Sequence, residues 1–139
     1  MTIRELGMTE LEKRCKPLIN SIPLKKVLRL PDRQIDSSDM PCILIMEGED
    51  KINKRSSRGF LGYPLMRSLS VIVECWDHSS GNVENIKKEA LEAIQFNSGV
   101  LIDQVLIREE KTIGPFNLGV PRILGIRIVF EMSYIDNGL

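Results

Sequence analysis

A single histidine, His78, stands in the run Trp76-Asp77-His78-Ser79. An aspartate that orients an imidazole, which then activates a hydroxyl, is the machinery of acyl transfer. Such groups meet through the fold and seldom as sequence neighbours. We therefore read His78 as an exposed loop histidine where a strand leaves for a helix, with weak helix capping as its alternative role. A second grouping, Glu47, Glu49 and Asp50, offers carboxylate oxygens to a divalent cation. A cation site needs several ligands held by a fixed loop, and Gly48 alone is a thin cue. This cluster reads instead as a solvated strand end paired with nearby Lys and Arg. A third pattern, Pro31-Asp32 with the later Glu109-Glu110-Lys111, echoes the Asp plus Glu-x-Lys of metal-dependent nucleases. Short patterns of this kind arise by chance, and no second catalytic element accompanies it. Gly59 and Gly62 are followed by no Lys-Ser or Lys-Thr, so they make tight turns beside Phe60 and Tyr63-Pro64 rather than a phosphate cradle. The expectation is no enzyme, no metal and no cofactor.

Basic residues are concentrated in one stretch: Lys51, Lys54, Arg55, Arg58 and Arg67. It follows an apolar run, Cys42 to Met46, and the acidic cluster. It precedes a long alternating strand. Strands of a compact domain are usually joined by a few residues, so a longer joint needs a reason. Ile52, Phe60, Leu61 and Tyr63 lie among the charges, as apolar groups ringed by charge do at an interface. We read the stretch as a docking loop rather than solvated charge.

The 139 residues suggest one domain, spanning 1–139, large enough to bury a core. Aromatics make up only 5% of the chain, so Ile, Leu, Val and Met must build that core. Formal charge is zero, which argues against a whole-chain electrostatic footprint for nucleic acid, leaves local patches open and favours self-association. Cys15, Cys42 and Cys75 form no CxxC pair and are odd in number, which reads as buried free thiols. No run of about 18 apolar residues exists, so no membrane span is expected. The mixed-charge N-terminus does not resemble a signal peptide.

These residues must be positioned by elements that the periodicity predicts. Thr9 and Glu12 have capping-box spacing, and Leu11, Cys15, Leu18 and Ile22 give one helical face. Pro17 should kink that helix or split it in two, and Pro23 should end it. Val27, Leu28 and Leu30 mark a short strand, followed by an exposed loop over 32–39. Four main strands follow. Cys42–Met46 is an apolar run buried on both faces. Leu69, Val71, Val73 and Cys75 share one face of the second strand. The third lies around Leu101 to Glu109. In the fourth, Leu124, Ile126, Ile128, Phe130, Met132 and Tyr134 share a face, and the other face is wet or meets a partner. A helix capped within Ser79–Asn82 carries the stripe Val83, Ile86, Ala90, Ala93 and Ile94, with Gly99 as terminator. Gly114-Pro115 and Gly119-Val120-Pro121 place the last hairpin's tip over 112–121. The fold class is α+β: one domain with a mainly antiparallel or mixed sheet of about four strands, covered by one or two helices, and a long loop between the first two main strands.

Ile45-Met-Glu-Gly-Glu-Asp50, then Lys54-Arg55, then Gly62-Tyr-Pro-Leu65 leading into a long alternating strand, resembles the phage tail terminator proteins. The resemblance covers roughly residues 40–135 and rests on the order and spacing of short motifs. It implies a small α+β protein without enzymatic activity that forms a homo-hexameric ring. Such a ring caps the tail tube, stops its polymerisation and joins tail to head. The partners implied are the chain itself, the major tail tube protein and the head-tail connector. DNA would pass through without specific binding, no membrane would be involved, and the protein would reside in the virion tail after assembly in the host cytoplasm. The residues expected at subunit or tube contacts are Glu47, Glu49, Asp50, Lys51, Lys54, Arg55, Arg58, Tyr63, Pro64 and Arg67. The alternatives are a metal-dependent nuclease and a small non-enzymatic adaptor.

Overall fold

The computed structural model describes residues 2–22, 24–31, 36–52, 65–95, 99–118 and 123–136. Its first helix, α1 (Ile3–Cys15), is capped by Thr2, whose Oγ1 accepts the Glu5 N–H at 3.1 Å. The start expected at Thr9 and Glu12 is thus corrected. Thr2 and Glu5 carry the same spacing earlier, and the helix is already running when it reaches Thr9. Pro17 divides the segment as its chemistry requires, and a short α2 (Leu18–Ser21) follows. Leu11, Cys15 and Leu18 are buried.

Six strands form one sheet in the order β1-β2-β3-β6-β5-β4: β1 (Lys26–Arg29), β2 (Cys42–Ile52), β3 (Leu65–Asp77), β4 (Val100–Ile102), β5 (Val105–Leu118) and β6 (Ile123–Asp136). Among the described residues only β1 and β2 pair in parallel; every other neighbour is antiparallel. The α+β class with a mixed sheet holds, but the described residues form six strands rather than about four. Strand β1 is the short strand expected around Val27 and Leu28, ending at Arg29. The third predicted strand is broken by a turn at Asp103-Gln104, where Gln104 takes a left-handed φ of 66°. Two other boundaries move. The first main strand runs past Met46 to Ile52, so the acidic cluster lies within it. The last hairpin's first limb continues to Leu118, so Gly114 and Pro115 are not its tip. They sit where the β5–β6 register shifts between Ile113 and Phe116, and a bulge on an outer strand accepts a residue that has no N–H to give. The long loop expected after the acidic cluster falls at 53–64, outside the described residues.

Helix α3 (Ser80–Ile94) begins at Ser79, whose Oγ accepts the Asn82 N–H at 3.2 Å. Its stripe of Val83, Ile86, Ala90 and Ile94 is buried. Gly99 is not its terminator; it lies at the entry to β4 with φ 83°, where a Cβ would meet the Ile107 carbonyl oxygen at 2.6 Å. Helices α1 and α3 cover one face of the sheet. Beneath them pack Ile43 and Ile45 of β2, Leu69 to Cys75 in alternation on β3, and Ile128, Phe130, Met132 and Tyr134 on β6. All three cysteines are buried and free in this structure. Burial pushes the thiols of Cys15 and Cys42 up to about 12 and that of Cys75 higher still, so all three stay protonated near neutral pH.

The opposite face is not uniformly wet. A second apolar cluster forms there from Met40, Cys42, Leu44 and Trp76, flanked by Leu28, Leu30, Phe116 and Ile123. It accounts for the burial of Cys42–Met46 on both faces. Glu74 is fully buried beside it: one carboxylate oxygen accepts Trp76 Nε1 at 3.2 Å, and the other accepts Arg127 Nε at 2.9 Å. Trp76 lies flat over Gly125, its register partner on β6. A Cβ at Gly125 would fall 2.6 Å from three carbons of the indole ring. Gly125→Ala should therefore displace the ring and cost about 1–3 kcal/mol, the usual range for overpacking. Denaturant unfolding followed by the fluorescence of the one tryptophan checks this. Unchanged stability and an unchanged emission maximum would show that the contact does not constrain the sheet.

Candidate functional site

The acidic cluster is shaped by a β-bulge. Glu47 pairs with Val71 and Asp50 with Leu69, so β2 spends one extra residue there, at Gly48-Glu49. Side chains alternate along a strand, so Glu47 and Asp50 would otherwise point to opposite faces. The bulge turns both toward the helix-covered face, just beyond Ile43 and Ile45. Glu49 stays exposed.

On that face the two carboxylates meet guanidinium groups from distant parts of the chain. Arg4 of α1 donates from Nη2 to Glu47 at 2.7 Å and from Nη1 to Asp50 at 2.9 Å. Arg29 of β1 donates to both carboxylate oxygens of Glu5, at 2.7 and 2.9 Å, and to Glu47 at 3.1 Å. The Tyr134 hydroxyl donates to Asp50 Oδ2 at 2.5 Å, completing a chain from Glu5 through Arg29, Glu47, Arg4 and Asp50 to β6. Paired N–H donors match a carboxylate, which is why arginine rather than lysine suits such a lattice. Bonding to Arg29 holds the Glu5 carboxyl below its usual range, and the carboxylates hold both arginines above theirs. Burial, followed by the bond to Asp50, pushes the Tyr134 phenol up to about 12. Asp50 is the deepest acid of the set, its side chain 14% exposed against 27% for Glu47. A cleft of about 420 Å³ opens beside the lattice, lined by Arg4, Arg29, Leu30, Pro31, Glu47 and Gly48.

The sequence-predicted contact residues separate accordingly. Glu47 and Asp50 are engaged inside the subunit, with Arg4 and Arg29 rather than with Lys or Arg nearby in sequence. Glu49 and Lys51 are exposed on β2, and Arg67 is half-buried on β3 opposite Ile52. Lys54, Arg55, Arg58, Tyr63 and Pro64 lie outside the described residues. So does Asp32 of the nuclease-like pattern; its Glu109-Glu110-Lys111 partner sits at a register shift on the exposed part of β5. Among the described residues no three His, Cys, Asp or Glu side chains converge as metal ligands. His78 is exposed, as expected. Sequence reasoning missed Arg4, Glu5 and Arg29 altogether. The contacts that reveal them join residues 18 to 46 positions apart, beyond any local pattern.

No family model matches this chain, and no curated protein matches it.

The lattice has an optical readout. Tyr134 and Tyr63 are the two tyrosines, so in a Tyr63→Phe variant the phenolate absorbance belongs to Tyr134. Its midpoint should lie near 12 in the folded protein, against an unfolded value of about 10. A phenol whose folded value is raised favours the fold below the unfolded value, and that contribution is lost as pH rises from there through the folded one. Asp50→Asn should bring the midpoint down only part of the way, because burial is the larger cause. Deleting Gly48 removes the bulge and should bring it down further. A folded midpoint at the ordinary value would show that Tyr134 does not close the lattice.

Proposed function

We propose that this chain is a structural ring protein of the phage tail terminator kind. It forms a closed oligomer, six copies by the resemblance, that caps the tail tube, ends its polymerisation and receives the head-tail connector. The α+β class, with helices on one face of a mixed sheet, agrees with what the resemblance implies. The observation that carries the reading is the state of β5. From Arg108 to Pro115 every residue of this strand is exposed, although Arg108, Glu109 and Lys111 to Ile113 pair with β6. An ordered strand with neither face covered is a surface that an assembly can bury. Zero net charge removes the long-range repulsion that would otherwise oppose packing identical subunits together.

In this reading the basic residues Lys54, Arg55 and Arg58, with Tyr63 and Pro64, contact the neighbouring subunit or the tube. Exposed ion pairs contribute little to the fold. Replacing both Lys54 and Arg55 with Glu should therefore weaken assembly at least tenfold while leaving the unfolding transition in place. Native mass spectrometry across concentration, followed by negative-stain imaging, should give one discrete oligomer seen as a ring with a central hole. Added to growing tail tubes, the wild-type protein should arrest elongation at substoichiometric ratio to tube subunits. Tubes that keep growing with the protein absent from their ends would refute the terminator assignment.

A further inference from the structure

The sheet itself holds its edge strand β4 weakly. β4 has three residues and pairs with β5 at Val100 with Leu106 and at Ile102 with Val105, with a register shift between the two. One more bond joins the Ile107 N–H to the Gly99 carbonyl at 2.7 Å. Residues of left-handed backbone flank the strand, Gly99 at φ 83° and Gln104 at φ 66°. Among the described residues β4 is the last strand, so no further strand satisfies its outer carbonyls. Arg14 of α1 takes that place. Its Nη2 donates to the carbonyls of Val100 at 2.8 Å and Leu101 at 2.9 Å. Its Nη1 donates at 2.8 Å to the carbonyl of Ile94, the last residue of α3. A guanidinium has donors enough in one plane to join several acceptors, and the last carbonyls of a helix lack an intrahelical partner. The Arg14 side chain is 13% exposed, so these bonds are sheltered from water. Leu101 is buried in the same core cluster as Leu11 of α1.

The other end of α1 is tied down as well, on the far side of the sheet, where Arg4 holds Glu47 and Asp50 of β2. Asp50, Leu69, Met132 and Ile107 are register partners in one row across β2, β3, β6 and β5. α1 follows this row, with Arg4 at Asp50, Gly7 at Met132 and Arg14 at β4. A Cβ at Gly7 would fall 2.8 Å from Met132 Sδ and 3.2 Å from Val105 Cγ1, so the helix lies tight on the strands between its two ties. The dimensions agree. From Arg4 to Arg14 a helix rises roughly 15 Å. From β2 to β4 the sheet is four spacings wide, roughly 19 Å, and the two arginine side chains span the remainder. Independently of the ring reading, we infer that α1 is a strap across the sheet, tied by Arg4 at β2 and by Arg14 at β4, and that freeing either end releases β4. A helix moves as one rigid piece, so losing one tie tilts it and pulls on the other. The strap thereby couples two outer strands that no hydrogen-bond ladder joins directly. Among the described residues nothing else pairs with that edge of β5, so release of β4 leaves it unpaired from Val105 onward, a template for another strand.

Amide hydrogen exchange under native conditions, read by NMR, tests the coupling. The reporter is the Ile107 N–H, which bonds to Gly99. Its rate is taken relative to that of the Val73 N–H in the middle of the sheet, so that global unfolding cancels and local opening remains. Arg4→Ala should raise this ratio roughly tenfold, although Arg4 is tied to β2, three strands from β5. Arg14→Lys, which keeps the charge but loses the planar fork, should raise it by a similar factor. The double variant should exceed the larger single effect by no more than about twofold, because a strap freed at one end is already open. An unchanged ratio in either single variant overturns the strap. So does a double variant at the product of the two effects, about a hundredfold, which means two independent ties. If Arg14→Lys does not fold, the ratio in Arg4→Ala decides alone.

Discussion

β3 and β6 pair from Leu65 against Asp136 to Asp77 against Leu124, and along this pair apolar side chains alternate with polar ones. A period of two gives such a pair one face that must leave water, and burying a large aliphatic side chain stabilises by roughly 1.5–3 kcal/mol. Everything else follows from covering that face. Helix α3 is amphipathic and supplies one cover; α1 supplies the other and brings Cys15 and Leu11 onto the same core. The strands added outside β3 and β6 are then free to differ. β2 is apolar on both sides where the two clusters sandwich it and charged where they end. β5 buries Val105 and Ile107 on the helix-covered face and lays Phe116 against the second cluster, and between them it is exposed.

The charged lattice at the far end of β2 depends on this arrangement. Burying α1 against the core places Arg4 and Glu5 over the strand, and the one-residue bulge presents Glu47 and Asp50 to them. Three carboxylates, two guanidiniums and a phenol then link α1, β1, β2 and β6. Each member is partly buried, so each needs its partner, and exchanging any one alone leaves a charge behind.

Reading the sequence reached the sheet's interior and failed at its margins, for physical reasons. Leu124 to Tyr134 and Leu69 to Cys75 were legible because alternation over many residues has no competing explanation. Val83 to Ile94 was legible because Ser79 caps it and the stripe repeats. Pro17 was correctly read as a break. Gly114 and Pro115 misled because the residues that make turns also make bulges, and only pairing with β6 distinguishes the two. β1 was marked by Val27 and Leu28, whereas β4 was hidden because three residues are shorter than any period and the apolar run continues past the turn at Asp103-Gln104 into β5. Of the candidate site, the exposed Glu49 and Lys51 and the clustering of the acids were visible. Their intramolecular partners were not, because nothing local in Arg4 or Arg29 announces a carboxylate that folding brings near.

The shortness of β1 and β4 has a geometric consequence for the sheet itself. Glu47 lies level with Glu109, through Val71 and Phe130. β1 accompanies β2 only as far as Ile45, and β4 accompanies β5 only as far as Leu106. Among the described residues the sheet is therefore four strands wide at the level of Glu47 and five wide toward either end. It has a waist, and Glu47 stands on it.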